Sequence, residues 1–81
     1  MVSVAIEDFV YKGPDTVAPG AKVDVVNADS TAHTLTADEP GQFDVTTEAD
    51  ATAGFTAPTK PGKYPYHCTF HANMTGTLVV K

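Results

Sequence analysis

The chain has 81 residues, with ten acidic side chains, five lysines and no arginine, which gives a formal net charge of −5. This length fits a single domain over residues 1–81, and the acidic balance excludes the basic footprint that nucleic-acid binding requires. No apolar run is long enough to span a membrane and no signal peptide is visible, while a single cysteine excludes an internal disulfide.

Short segments with strand character follow one another along the chain, separated by turns rich in proline and glycine. The predicted strands, in chain order, are 2–6, 22–27, 33–36, 51–57, 63–68 and 76–80. Residues 44–53 have some helical propensity from Glu48 and Ala49, but the preceding Val45, Thr46 and Thr47 oppose it, so no helix is predicted. Several short strands at close spacing indicate an all-β sandwich or barrel.

The strand 63–68 assigns its side chains to two faces. With a period of two, Tyr64, Tyr66 and Cys68 share one face, and His67 lies on the other. Because the first set contains two aromatic rings, we expect it to point into the domain. His67 is then most simply a surface histidine.

Three soft or borderline metal donors follow at regular spacing, as Cys68, His71 and Met74 in the pattern C-x2-H-x2-M. Considered alone, Cys68 would be interpreted as an unreactive buried apolar residue, and Met74 as a residue that fills space in the core. Residues 69–73, however, form a tight connection between two predicted strands. Such a short loop brings the three donors together, and their combination favours a metal site.

The donor set distinguishes between metals. Structural zinc sites use four cysteine or histidine ligands, so a donor set that includes methionine fits zinc poorly. The C-x-x-C-H motif that attaches haem c is absent. Two histidines, one thiolate and a weak axial methionine form the blue-copper arrangement. That arrangement needs one more histidine, and besides the outward-facing His67 the chain offers only His33.

Residues 23–34 (VDVVNADSTAHT) and 61–80 (PGKYPYHCTFHANMTGTLVV) resemble the small cupredoxins, the family of plastocyanin, pseudoazurin and amicyanin. The short ligand loop is most similar to that of amicyanin. The resemblance implies a compact Greek-key β-sandwich of seven to eight strands with one type 1 copper per chain. It also implies that His33, Cys68 and His71 are the strong ligands and that Met74 is the weak axial one.

The same resemblance implies a soluble, monomeric electron-transfer protein that cycles between Cu(II) and Cu(I), and not an enzyme. It implies export to the periplasm or to the extracellular space. Redox partners would dock transiently near His71, where Phe70, Ala72 and Pro40 could supply an apolar rim. We expect the acidic residues within 38–50 to form a solvated face rather than a docking patch for a basic partner.

The chain departs from the family pattern in two respects. Thr34 stands where many cupredoxins have asparagine after the first histidine ligand. Its backbone N–H could still donate to the Cys68 sulfur, and its hydroxyl could hydrogen-bond across the two ligand loops. The chain is also shorter than typical members, so we expect a strand or an N-terminal extension to be missing.

Other functions stay open at this point. The chain could be the copper-binding domain of a copper enzyme, because His67 stands where nitrite reductases have a ligand of a second copper. Three histidines are too few for two sites, however, and Thr69 breaks the pattern of the multicopper oxidases. Cys68 and His71 could also serve a cysteine-nucleophile enzyme, and a copper chaperone or store is a further alternative.

Overall fold

The computed structural model describes residues 2–13, 16–39, 41–71 and 73–81. Within these ranges the protein is built from strands and turns, with no helix. The eight strands are β1 (Val2–Glu7), β2 (Val10–Lys12), β3 (Lys22–Asn27), β4 (His33–Ala37), β5 (Asp44–Thr47), β6 (Thr52–Thr56), β7 (Gly62–His67) and β8 (Thr75–Val80). It follows that the described residues contain no helix able to cross a membrane.

The strands form two four-stranded sheets, in the order β2-β1-β3-β6 and β5-β4-β7-β8. β1 and β3 run parallel, and the other neighbours are antiparallel. The chain passes between the sheets after β3, after β5 and again after β6. The predicted fold class, an all-β Greek-key sandwich of seven to eight strands, is confirmed.

The core lies between the two sheets and follows the alternation of the strands. Val4 and Ile6 of β1 face inward with Val23 and Val25 of β3, and all four are buried. β7 contributes the predicted inward set of Tyr64, Tyr66 and, just beyond the strand, Cys68. The period-two prediction of the inward faces of β1, β3 and β7 is therefore confirmed.

Two of the eight strands were not predicted. β2 has only three residues and pairs with β1 through a two-residue turn, with Glu7 opposite Val10. β5 begins at Asp44, inside the stretch with some helical propensity, and pairs with β4 so that Val45 lies opposite Leu35. Both are short edge strands whose valine, tyrosine and threonine residues favour extended structure, and pairing with a longer neighbour stabilises them.

The acidic residues between positions 38 and 50 are all exposed, as predicted for a solvated face. They are Asp38, Glu39, Asp44, Glu48 and Asp50.

The pairing of β4 with β7 brings the two predicted metal-binding segments together. Thr36 lies opposite His67 and Ala37 opposite Tyr66. Antiparallel strands run past each other, so the start of β4 meets the residues that follow β7. His33, the first residue of β4, and Cys68 therefore lie at the same end of the sandwich.

A close contact in the second sheet leaves no room for a side chain at Gly76. Gly76 of β8 lies opposite Tyr66, and a Cβ atom added at Gly76 would lie only 2.6 Å from Cζ of the Tyr66 ring. Tyr66 is buried and cannot swing away without disturbing the core. We expect Gly76→Ala to lower the free energy of unfolding by about 1–3 kcal/mol, the usual range for overpacking.

Gly62→Ala is the matched control for this prediction. Gly62 belongs to the same strand pair, but its added Cβ would meet Tyr64 at an ordinary 3.7 Å. Urea unfolding of both variants, followed by circular dichroism, measures the difference. Equal stability of the two variants would show that the Tyr66 ring can move aside without lowering the free energy of unfolding.

Candidate metal centre

The predicted ligands lie at one end of the sandwich, at different depths. His33, Cys68 and Met74 are almost completely inaccessible to solvent, at 0, 1 and 3 % exposure. His71 is only partly buried. His33 is better buried than His71, because His33 opens a central strand while His71 lies on a surface loop.

The connection between β7 and β8 is held in a tight conformation by its own backbone. Cys68 N–H donates to Met74 O at 3.1 Å, Met74 N–H donates to His71 O at 3.0 Å, and His71 N–H donates to Cys68 O at 3.4 Å. These bonds tie the first, middle and last donors of the C-x2-H-x2-M segment to one another. The loop is as compact as its length predicts.

His33 and Cys68 are already spaced as two ligands of one metal ion. His33 Nδ1 lies 3.9 Å from Cys68 Sγ. Ligand bonds of roughly 2.0 Å to nitrogen and 2.3 Å to sulfur, as in zinc proteins, put two donors at a trigonal angle about 3.7 Å apart. The observed separation fits a shared metal ion of this size.

His71 lies next to this pair but is not yet grouped with it. Its ring centroid is 5.1 Å from that of His33. Among the residues that the structure describes, no three histidine, cysteine, aspartate or glutamate side chains are grouped closely enough to hold a metal ion. The structure thus brings His33 and Cys68 to ligand spacing, with the His71 ring beside that of His33.

The surroundings of Cys68 favour its thiolate. Burial raises the pKa of the Cys68 thiol, but hydrogen bonds, among them those from the backbone N–H groups of Thr34, Phe70 and His71, outweigh it, and the pKa lies below its ordinary value. Because the thiolate is the form that binds metals, this environment suits a metal ligand better than an inert core cysteine.

Thr34 makes both contacts expected of it. Its backbone N–H lies 3.4 Å from Cys68 Sγ, and its hydroxyl accepts a hydrogen bond of 2.8 Å from the Thr69 N–H. The hydroxyl is also 3.1 Å from that of Thr36, which donates to Asp44 at 2.8 Å. The threonine therefore links the two ligand-bearing segments in place of an asparagine.

Asn27 and Asp29 form hydrogen bonds that stabilise the segment leading to His33. The sequence had assigned a role to neither residue. Asn27 is buried, and the two N–H groups of its Nδ2 atom are shared among the carbonyl oxygens of Thr31, Thr47 and Glu48. The sequence did contain an indication of this role. Asn27 continues the inward-facing positions of β3, and a polar side chain at an inward position needs hydrogen-bond partners.

Asp29 contacts His33 directly, with 2.8 Å between Asp29 Oδ2 and His33 Nε2. The Phe9 N–H contributes most to lowering the pKa of Asp29; burial opposes this, and the Asp8 N–H and His33 lower it further. The carboxylate is therefore a hydrogen-bond acceptor. Its position four residues before His33 was the only signal in the sequence.

Tyr11 is a further neighbour that the sequence did not reveal. Its hydroxyl donates to the Thr34 carbonyl oxygen, and its ring packs edge-on against Tyr66 with 4.8 Å between centroids. Burial raises the pKa of Tyr11, and the negative charge of the nearby Cys68 raises it further. A neutral tyrosine thus lies near Cys68 and holds the backbone of Thr34.

His67 faces away from the other donors, as predicted. Its Nδ1 atom lies 2.6 Å from Asp38 Oδ1, and its side chain is 35 % exposed.

Three residues were expected to form an apolar rim around His71. Of these, Phe70 is 56 % exposed, while Ala72 and Pro40 lie outside the described residues. Phe9 was not predicted to take part, yet its ring lies 4.7 Å from that of His71 and is half exposed.

Comparison with known proteins identifies the family. The model of the cupredoxin-like domain family matches residues 2–80. The chain belongs to the cupredoxin-like family. No curated protein sequence matches it.

Several solved cupredoxin structures are similar along almost the whole chain. A variant of amicyanin in the reduced state superposes with a TM-score of 0.82 at 27 % identity, covering 99 % of this chain and 81 % of that one. An amicyanin variant in the reduced Cu(I) form at pH 4 gives 0.80 at 27 % identity, and one in the oxidised state gives 0.82 at 26 %. The coverage is the same, 99 % and 81 %, for both.

Proposed function

We propose that this cupredoxin is a type 1 copper protein that carries single electrons between partner proteins. The observation that carries the proposal is the 3.9 Å separation of His33 Nδ1 and Cys68 Sγ at the buried end of the sandwich. Cupredoxin membership and the likeness to amicyanin variants in Cu(I) and oxidised forms support it. Copper would supply the one-electron chemistry, passing between Cu(II) and Cu(I).

His33, Cys68 and His71 would hold the ion as strong ligands, and Met74 as a weak one. His33 presents Nδ1 because its Nε2 is taken by Asp29. Cys68 is biased toward the thiolate, and Met74 is buried at the end of the same loop. His71 would complete the set by adjusting its side chain on the loop. These donors match the soft and imidazole ligands that copper prefers.

The rest of the chain would keep this site rigid and dry. Hydrogen bonds from Thr34 to Cys68 and between Thr34 and Thr69 fix the two ligand-bearing segments against each other. Little then has to move when the charge at the site changes, which favours rapid electron exchange. Because His67 pairs with Asp38 on the other face, it is not available to complete a second site beside the first.

Electrons would enter and leave near His71, the one partly exposed ligand. Phe70 and Phe9, exposed by 56 and 48 %, provide apolar contact area around it. A small apolar surface suits the brief encounters of redox proteins. We further propose that the protein acts as a monomer outside the cytoplasm, as its family relationship implies.

Addition of Cu(II) to the purified protein, followed by visible spectroscopy and voltammetry, tests this function. The expected result is an intense thiolate-to-copper absorption band and a reversible one-electron couple. Cys68→Ser should lose the band completely, because serine offers no thiolate. His67→Asn, the control, should keep it.

A band that survives in Cys68→Ser would overturn the ligand assignment. A wild-type protein that binds Cu(I) but shows no reversible couple would be a copper store or chaperone and not a carrier. Metal analysis that finds more than one copper per chain would point to a copper enzyme.

A further inference from the structure

The carboxylate of Asp29 receives hydrogen bonds from two separate parts of the molecule. Its Oδ1 accepts the Asp8 N–H at 2.8 Å, and its Oδ2 accepts the Phe9 N–H at 3.0 Å. The same Oδ2 lies 2.8 Å from His33 Nε2. The Asp29 side chain is only 11 % exposed. One nearly buried carboxylate thus joins the turn between β1 and β2 to a predicted copper ligand.

That turn has an unusual backbone. Asp8 and Phe9 both have positive φ, at 54° and 62°, as the central residues of a type I′ hairpin turn require. Such turns favour Asn-Gly, and a phenylalanine with positive φ is in a strained conformation. The two N–H groups that Asp29 accepts belong to these two residues, so the carboxylate stabilises the strained conformation.

The strained turn brings the Phe9 ring into contact with the rings of both His33 and His71. The ring centroids are 5.0 Å apart for Phe9 and His33 and 4.7 Å apart for Phe9 and His71, each in an edge-on arrangement. Edge-on aromatic contacts at this distance are favourable. The ring limits the directions in which both imidazoles can turn, and its other side faces solvent.

Asp29 also determines which nitrogen of His33 is free. An ionised carboxylate only accepts hydrogen bonds, so in neutral His33 the proton must lie on Nε2. Nδ1 then carries the lone pair, and Nδ1 is the atom that faces Cys68 Sγ. A carboxylate that accepts a hydrogen bond from the far N–H of a ligating histidine fixes the tautomer of the ring and raises its basicity.

We propose that Asp29 is a positioning residue of the metal centre, which fixes the tautomer of His33 and holds Phe9 as an aromatic cap over His33 and His71. The role in copper binding rests on the proposed function, whereas the tautomer and the cap are properties of the protein itself. Two groups of measurements separate these parts.

The first group uses protein without copper. Long-range ¹H–¹⁵N NMR spectra of the wild type at neutral pH should show His33 protonated at Nε2. Aromatic nuclear Overhauser effects should connect Phe9 to both histidine rings. In Asp29→Asn the backbone N–H groups of Asp8 and Phe9 should exchange with solvent at least tenfold faster, while Glu48→Gln, which removes one exposed carboxylate, should match the wild type. A wild-type His33 protonated at Nδ1, or unchanged exchange in Asp29→Asn, would overturn the proposal even if copper binds normally.

The second group measures Cu(II) affinity by competition with a chelator of known affinity. Loss of an outer-shell partner of a ligating histidine typically costs about 10–100-fold in affinity, and we expect a loss in this range for Asp29→Asn and none for Glu48→Gln. The reduction potential of Asp29→Asn should also rise, because a negative charge that favours Cu(II) is removed.

Phe9→Leu keeps Asp29 and removes only the aromatic ring. It should abolish the ring contacts and leave the His33 tautomer unchanged, which separates the cap from the carboxylate. Equal affinity of the wild type and Asp29→Asn would overturn the copper part of the proposal. Failure of the wild type to bind copper at all would instead contradict the proposed function and leave the first group of results standing.

Discussion

Copper(II) is expected to stabilise this small domain strongly against unfolding. The proposed ligands belong to two segments distant in sequence, His33 on β4 and the loop from Cys68 to Met74, so the complete ligand set exists only in the folded protein. A ligand present at about a thousand times its dissociation constant adds roughly 4 kcal/mol. At about 4–8 °C per kcal/mol for a domain of this size, the unfolding midpoint should rise by roughly 15–30 °C.

Calorimetry with copper and with an excess of chelator measures this effect. Cys68→Ser should lose most of the copper-dependent gain, because serine removes the thiolate ligand. Its chelated form should unfold close to the chelated wild type, since the substitution changes the core by a single atom. Equal midpoints of the wild type with and without copper would mean that the ligands do not act together in the native state.

The second large effect is expected for Asn27→Ala. Asn27 is 1 % exposed, and its side chain serves four backbone groups around the segment that leads to His33. The three carbonyl partners of Nδ2 lie at 2.8–3.2 Å, and Oδ1 accepts the Asp29 N–H at 2.9 Å. Alanine leaves these groups without their partner, and an unsatisfied buried group costs about 1–3 kcal/mol.

Since some of the four groups can recover a partner from solvent, we expect a total loss of about 3 kcal/mol, or roughly 12–24 °C in unfolding midpoint. Asn73→Ala makes the same change at an exposed position of the ligand loop and should leave stability nearly unchanged. Thermal unfolding of both variants without copper gives the comparison. A midpoint for Asn27→Ala within about 2 °C of the control would show that these hydrogen bonds contribute little.

Asn27→Ala should also affect the metal centre. The side chain anchors the backbone of Asp29, which in turn holds His33. A variant that remains folded at low temperature is therefore expected to bind copper less tightly than Asn73→Ala.

The sequence by itself determined the fold class and the inward faces of the long strands, and it indicated candidate donors in the C-x2-H-x2-M loop. These are local properties, because the alternation of β1, β3 and β7 follows from the period of a strand. Even the role of Thr34 could be anticipated, since its backbone N–H does not depend on the side chain at that position. The compactness of the ligand loop followed from its length alone.

Only the tertiary structure decided how these parts are held. Pairing with β4 sets the register of β5, and the three-residue β2 depends on a turn that Asp29 stabilises from 21 residues away. Periodicity does not reveal the roles of Tyr11 and Phe9, and for Asn27 it indicates an inward polar side chain but not its hydrogen-bond partners. Each acts through contacts between segments far apart in the chain, and the free energy of such contacts depends on distances and burial that only the folded arrangement sets.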